Sequence, residues 1–187
     1  MPSKKALRIA VPVNLRPFFD SETMKNFFVV VSAEFRPEKE SYSFEEVIDI
    51  VKESLRKQIT KEHMEDLFSY SVSNQRNVFL RPIPLFLKHI AMRLVYTWSA
   101  LANTSTITNV GVIKVAPEYE PHIKSFQACI AMSKGQDLKG TVCSYNGTLA
   151  FTFSSILAET SIQKAFCRKI AEDEVDVSIE TNGVYYE

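Results

Sequence analysis

The sequence predicts an α/β (α+β) protein, a mixed β-sheet with helices packed on it, from three observations. Short apolar, β-branched runs occupy residues 7–14 and 26–35, three amphipathic helical stretches follow, and beyond Asn103 the apolar spacing changes from helical to period two. With 187 residues, 45% hydrophobic and 24% charged, the chain reads as a single domain over residues 1–187. A chain of that size can withdraw roughly 70% of its unfolded surface from water without metal or disulfide.

Each element has its own signal. Residues 7–14 are β-branched or apolar, and Pro12 inside them argues for an edge strand or a strand beside a bulge; Arg16-Pro17 ends the run. Residues 26–35 (NFFVVVSAEF) are too continuously apolar for a strand with one wet face, so a strand covered on both sides is expected. Ser43-Phe44-Glu45-Glu46 has the form of a capping box, with Phe44, Val47, Ile48, Val51, Leu55 and Ile59 following at helical spacing. Thr60 caps a shorter helix with Met64, Leu67 and Phe68 on one face, fading into the polar stretch 71–77. Pro82 and Pro84 lead into a helix whose face is Leu87, Ile90, Ala91, Leu94, Val95, Trp98 and Leu101.

Residues 104–115 and 125–132 (SFQACIAM) read as strands, and 141–154 as a hairpin closed by Asn146-Gly147, because both positions of a tight type I′ turn need positive φ. Ile162, Phe166 and Ile170 mark a short helix capped by Thr160 or Ser161, and residues 176–180 alternate as a last strand. The aromatic supply, Phe18, Phe19, Phe27, Phe28, Phe35, Phe79 and Phe86, exceeds what a one-sided sheet under three helices needs. An exposed apolar face for self-association or another lobe is therefore expected.

Lys+Arg and Asp+Glu are both 22, so no net field gathers nucleic acid or an anionic membrane surface. Three cysteines, Cys129, Cys143 and Cys167, with no CxxC spacing, fit a reduced, cytoplasmic compartment, and Cys129 and Cys143 fall in expected strands as small buried hydrophobes. The start of the chain lacks the unbroken apolar stretch of a signal peptide, and no run approaches the roughly 20 apolar residues that span a bilayer.

His63, His89 and His122 have no second His or Cys at metal spacing and no evident orienting partner, so no metal site and no catalytic residue is assigned in this chain. GxxxxGK[ST], GxGxxG, GxSxG and HExxH are all absent. Two polar insertions in apolar strands remain: Asn14 and Arg16 after Pro12, and Thr108-Asn109 before Gly111. Either Asn109 bonds backbone where Gly111 lets a strand bulge and Arg16 pairs with a carboxylate, or both line a cleft that holds a substrate or a neighbouring lobe.

VPVNLRPFF, then KNFFVVV, then TITNVGVI after the helices, resemble the C-terminal half of the chloramphenicol-acetyltransferase-like superfamily of CoA-dependent acyltransferases, closest to bacterial alcohol acetyltransferase-like proteins. Condensation domains also belong to this superfamily. Order and spacing match from about Leu7 to Ile179, with Thr108-Asn109 standing where the family has Ser-Asn. The family's HHxxxDG motif, whose second His deprotonates the acceptor, belongs to the N-terminal half, and no HxxxD occurs here.

The resemblance implies half an enzyme: a C-terminal lobe that supplies channel wall, a crossing strand and acyl-donor contacts. Its implied partners are an N-terminal lobe carrying HHxxxDG, acyl-CoA as co-substrate and an alcohol-type acceptor, with no covalently bound cofactor. It makes Asn109, Thr108 and Gly111 substrate-channel candidates, and Asn14, Arg16 and Asn26 lobe-junction candidates. The expected activity is O-acyl transfer when joined to the other half, with the isolated chain, a fragment on this reading, inactive. The rival is a non-catalytic binding module that keeps the lobe's fold. Completion by a neighbouring subunit is disfavoured, because no copy of this chain carries HxxxD.

Overall fold

The computed structural model of the chain describes residues 6–36, 41–76, 82–100, 102–133 and 135–182. Leu101, Phe79 and Asn77 lie outside them. A strand Leu7–Asn14 (β1) pairs antiparallel with Phe28–Phe35 (β2) along its whole length, from Leu7↔Phe35 to Asn14↔Phe28. Between them runs a four-residue helix, Arg16–Phe19 (α1), with Pro17 in its first turn, which the sequence reading took only as a chain break.

Helices Phe44–Gln58 (α2), Lys61–Arg76 (α3) and Leu85–Ala100 (α4) follow. Next come a strand Ser105–Val112 (β3), a 3-10 turn at Glu120–His122, a hairpin of Leu138–Tyr145 (β4) and Thr148–Ser155 (β5), and a helix Ser161–Glu172 (α5). The five strands form one mixed sheet, ordered β2-β1-β3-β4-β5, in which β1, β3 and β4 run parallel and the outer strands antiparallel to their neighbours.

The local signals act as their chemistry requires. Ser43 Oγ accepts from Glu46 N while Glu46 Oε2 accepts from Ser43 N, closing the capping box of α2. Thr60 Oγ1 accepts from His63 N at the start of α3, which runs on to Arg76 rather than fading at residue 71. Asn146 and Gly147 take φ of 47° and 77°, both left-handed, and close the β4–β5 hairpin. Thr160 is the N-cap residue of α5, its carbonyl accepting from Lys164 N at 3.0 Å, although its side chain makes no capping bond.

The sheet's two faces differ. One carries Ile9, Val11, Val31, Ala33, Ile107, Val142, Phe151 and Phe153 in register, and α5 covers it where Phe166 packs 4.5 Å from Phe151 and 5.2 Å from Phe153. Gly140 leaves room for Phe151, since a Cβ there would stand 2.9 Å from the ring's Cζ. At the far end α2 packs against β2. On the other face of β2, Phe28 and Val30 are about half exposed, so the continuous apolar run is an edge strand with one open face, not one covered on both sides. Its outer edge is blocked at one point: the Gln58 amide accepts from Ser32 N at 3.1 Å and donates to Ser32 O at 2.8 Å, completing a broken ladder with a side chain.

Residues 125–132 and 176–180, read as strands, belong to no sheet. Residues 125–132 form a strap lying on the second face of β4. Lys139 Nζ donates to Ala131 O at 2.9 Å, Cys143 Sγ to Phe126 O at 3.5 Å, and Phe126 meets Tyr145 edge to face at 4.9 Å. Exposure alternates along the strap, with Phe126, Ala128, Ile130 and Met132 half-buried and Ser125, Gln127, Cys129 and Ala131 exposed. Period two therefore reports an extended conformation but not a partner. Cys129 is accordingly exposed, while Cys143 is buried in β4.

Accessible surface totals 15427 Å², against about 9,000 Å² for a compact chain of 21.3 kDa. Folding thus hides about half of the unfolded surface rather than roughly 70%. Helix α4 contributes to the excess: it is apolar on every side, Leu85, Phe86, Ile90, Leu94 and Val95 are all more than half exposed, and Trp98 is 78% exposed. No helix among the described residues is long and apolar enough to cross a membrane.

Candidate functional site

The candidate residues collect at one end of the sheet. β1 and β3 pair in parallel only at Ile9↔Ser105 and Ala10↔Thr106, just after Thr104 N donates to Arg8 O at 2.8 Å. Pro12 gives the cause. Ser32 turns its backbone groups outward to Gln58, so its partner Ala10 turns its own toward β3, as does Pro12 two residues on. Pro12 has no N–H to give, and the ladder stops there. Pairing ends there, and the carboxyl ends of two adjacent parallel strands run on without a shared ladder. Such ends are where sheets of this kind hold ligands.

One flank is 14–16. Leu15 is fully buried, with its N–H on Phe27 O at 3.1 Å. Arg16 is a clamp: Nε donates to Thr23 O at 2.8 Å, Nη2 to Lys25 O at 2.7 Å and Nη1 to Asn14 Oδ1 at 3.0 Å. Asn14 Oδ1 also accepts from Arg16 N at 3.1 Å. The expected Asn14–Arg16 pair exists, but the guanidinium takes backbone carbonyls rather than a carboxylate, because residues 20–27 fold back around it. Asn26 is exposed in the turn before β2.

The other flank is 108–111. Asn109 Oδ1 accepts from Gly111 N at 2.8 Å across a bulge that interrupts the β3–β4 register between these residues, and Gly111 holds φ of 84°. The first of the two sequence readings of Asn109 therefore describes its oxygen. Both amides spend Oδ1 on nearby N–H donors, and among the described residues neither Nδ2 has a hydrogen-bond partner. Each flank thus carries an amide N–H₂ free to donate.

Thr108 lies beside Thr141 of β4, which pairs in turn with Thr152 of β5, so three hydroxyls cross the second face in one row. Thr141 Oγ1 is buried without a partner. Buried Gln136 accepts from Thr106 Oγ1 at 3.0 Å in the adjacent row. The sequence did not single out this polar ladder, although the alternating threonines of β3 were its signal.

The remaining titratable groups do not converge. His63, His89 and His122 are exposed, and no described cluster of three His, Cys, Asp or Glu is placed to hold a metal ion. Glu53 on α2 is held below the usual carboxylate value by the hydrogen bond and charge of Lys57, at 2.6 Å. The chain matches no family model, no curated protein and no solved structure.

Proposed function

We propose that this chain is the C-terminal lobe of a CoA-dependent O-acyltransferase of the alcohol acetyltransferase type, forming one wall of a substrate channel and dependent on a second lobe for the HHxxxDG base. The end of the β1–β3 ladder supports the reading, because the two quoted motifs, 11–17 and 106–111, flank the carboxyl ends of these adjacent parallel strands. In that role the free Nδ2 of Asn109 donates to the oxyanion that develops on the acyl carbonyl, while Asn14 and Arg16 keep the 14–16 flank in shape. Acyl-CoA and an alcohol are the co-substrates, and the cytoplasm is the compartment where acyl-CoA is found. The uncovered surface of α4 supports the need for a second lobe.

One observation favours a non-catalytic binding module instead: Arg16 and both amide oxygens are already occupied within the chain. The two separate in an assay of thiol release from acetyl-CoA in the presence of a primary alcohol, run on the chain alone and with a lobe carrying HHxxxDG from the same reading frame. The lobe reading expects background rate alone and turnover on mixing. Turnover by the chain alone that is lost on replacing His63, His89 or His122 refutes it, as does silence of a folded, stoichiometric mixture.

A further inference from the structure

Three polar side chains are buried among the described residues, Gln136 at 7%, Lys139 at 6% and Thr141 at 2% exposed, and all three belong to the start of β4 or the turn before it. They meet on the second face of the sheet, at the strap 125–132. Thr106 is the register partner of Lys139, and its Oγ1 donates to Gln136 Oε1 at 3.0 Å, so the Gln136 amide and the Lys139 stem stand side by side. Thr141 follows two residues on, between Lys139 and Cys143, both of which bond the strap. The cluster lies toward the amino ends of β3 and β4, whereas Asn14 and Asn109 lie toward the carboxyl ends of their strands.

What the cluster has left over is donors. Gln136 Oε1 is shared by Thr106 Oγ1 and, at 3.4 Å, Ser133 Oγ, whereas its Nε2 has no partner among the described residues. Lys139 Nζ spends one proton on Ala131 O at 2.9 Å and keeps two, and it makes no ion pair among the described residues. Thr141 Oγ1 is bonded to nothing. Lysine is almost never buried without a paired charge, because an ammonium taken out of water needs a compensating anion. Glu180, the one described carboxylate bonded to the strap, takes Gln127 Nε2 at 2.9 Å on the strap's exposed side. The described acids therefore leave the ammonium uncompensated.

We infer that Gln136, Lys139 and Thr141 form a binding site for a small carboxylic acid, whose carboxylate accepts from Lys139 Nζ, Gln136 Nε2 and Thr141 Oγ1. A carboxylate accepts through about four lone-pair positions and donates nothing, which matches a cluster that needs only acceptors. Residues 139 and 141 are about 6.6 Å apart along the strand, and a group bonding at about 2.8 Å on either side bridges that span. Charge selects the class: one ammonium balances one carboxylate, while a phosphate dianion would leave a charge unpaired beneath the strap. Burial selects the size, since three nearly covered side chains are out of reach of a partner protein's surface. The strap, held here by side-chain bonds, is the cover that a small molecule has to pass. This site is independent of the lobe reading and is tested without acyl transfer.

The experiment is calorimetric titration of the full chain with sodium acetate, against sodium chloride at equal ionic strength, with melting followed in both salts. Acetate should bind saturably, one per chain and in about the millimolar range for so small a ligand, and should raise Tm where chloride does not. Lys139→Met keeps the reach of the side chain without its charge and should weaken acetate binding by about tenfold or more. Thr141→Val keeps the shape and removes an unbonded hydroxyl. In chloride it should melt no lower than the unaltered chain and yet bind acetate about fivefold more weakly, a combination that a structural threonine would not give. If Lys139→Met does not fold, Thr141→Val decides alone. Absence of saturable acetate binding up to about 100 mM overturns the inference. So does unchanged acetate binding by either folded variant, or inorganic phosphate binding more tightly than acetate.

Discussion

Arg16→Lys distinguishes a guanidinium that holds residues 20–27 in place from one available to a ligand. Three bonds converge on the group, at 2.7, 2.8 and 3.0 Å, from two backbone carbonyls and the Asn14 amide. A shielded bond from a charged donor contributes about 1.5–3 kcal/mol. Two of these are exposed and the freed carbonyls can turn to water, so about 1 kcal/mol each, and about 3 kcal/mol together, is the appropriate scale. Lysine offers a point charge where arginine offers a planar fork, and it reaches one acceptor at a time. The loss is then about 2 kcal/mol, which for a chain of this length lowers Tm by about 4–8 °C. Arg16→Ala should lose all three bonds and melt lower still. Calorimetric melting checks the size, and amide exchange over 21–27 checks the place. A lysine variant that melts within about 1 °C of the unaltered chain, with 21–27 unchanged, would show that the clamp contributes nothing.

Three further outcomes follow from the geometry. Gly140→Ala puts a methyl 2.9 Å from Phe151 Cζ, and that ring is already pinned by Phe153 and Phe166, so stability should fall by about 1–2 kcal/mol, with recovery when Phe151→Leu is added; urea unfolding of both variants measures it. Asn109→Ala frees an exposed Gly111 N–H to bond water and should cost less than about 1 kcal/mol in melting, while the proposed acyltransferase role expects kcat of the two-lobe mixture to fall about a hundredfold; a large melting loss at unchanged rate would make Asn109 purely structural. Gln58→Ala strips the cover from Ser32 and opens the β2 edge, so at a temperature well below melting of either form light scattering on standing should rise faster than for the unaltered chain, with stability lower by about 1–2 kcal/mol.

What the sequence revealed depends on how local the cause is. The Asn146-Gly147 turn and the Ser43–Glu46 box are decided within four residues, and both stand as read. The Asn109–Gly111 bulge was legible for the same reason. β2 misled because Phe28 and Val30 are apolar on a face that is nonetheless open, and hydrophobicity records a preference for burial rather than its attainment. For 125–132 the alternation was real, but pairing is a property of two segments, and one sequence run names only itself. The end of the β1–β3 ladder depends on which edge of β1 Pro12 occupies. That follows from a register running through Ser32 and Gln58, far along the chain.

The uncovered α4 has a calorimetric consequence. Heat capacity of unfolding tracks the apolar surface released, and Leu85, Phe86, Leu94 and Trp98 are more than half exposed before unfolding begins, so they release little more. Stability should therefore vary with temperature along a shallower arch than the norm for a chain of this length. That share of the curvature is transferred to association: a polypeptide that covers Leu85, Phe86, Leu94 and Trp98 will bind with a negative change in heat capacity. Titration at several temperatures will measure that change.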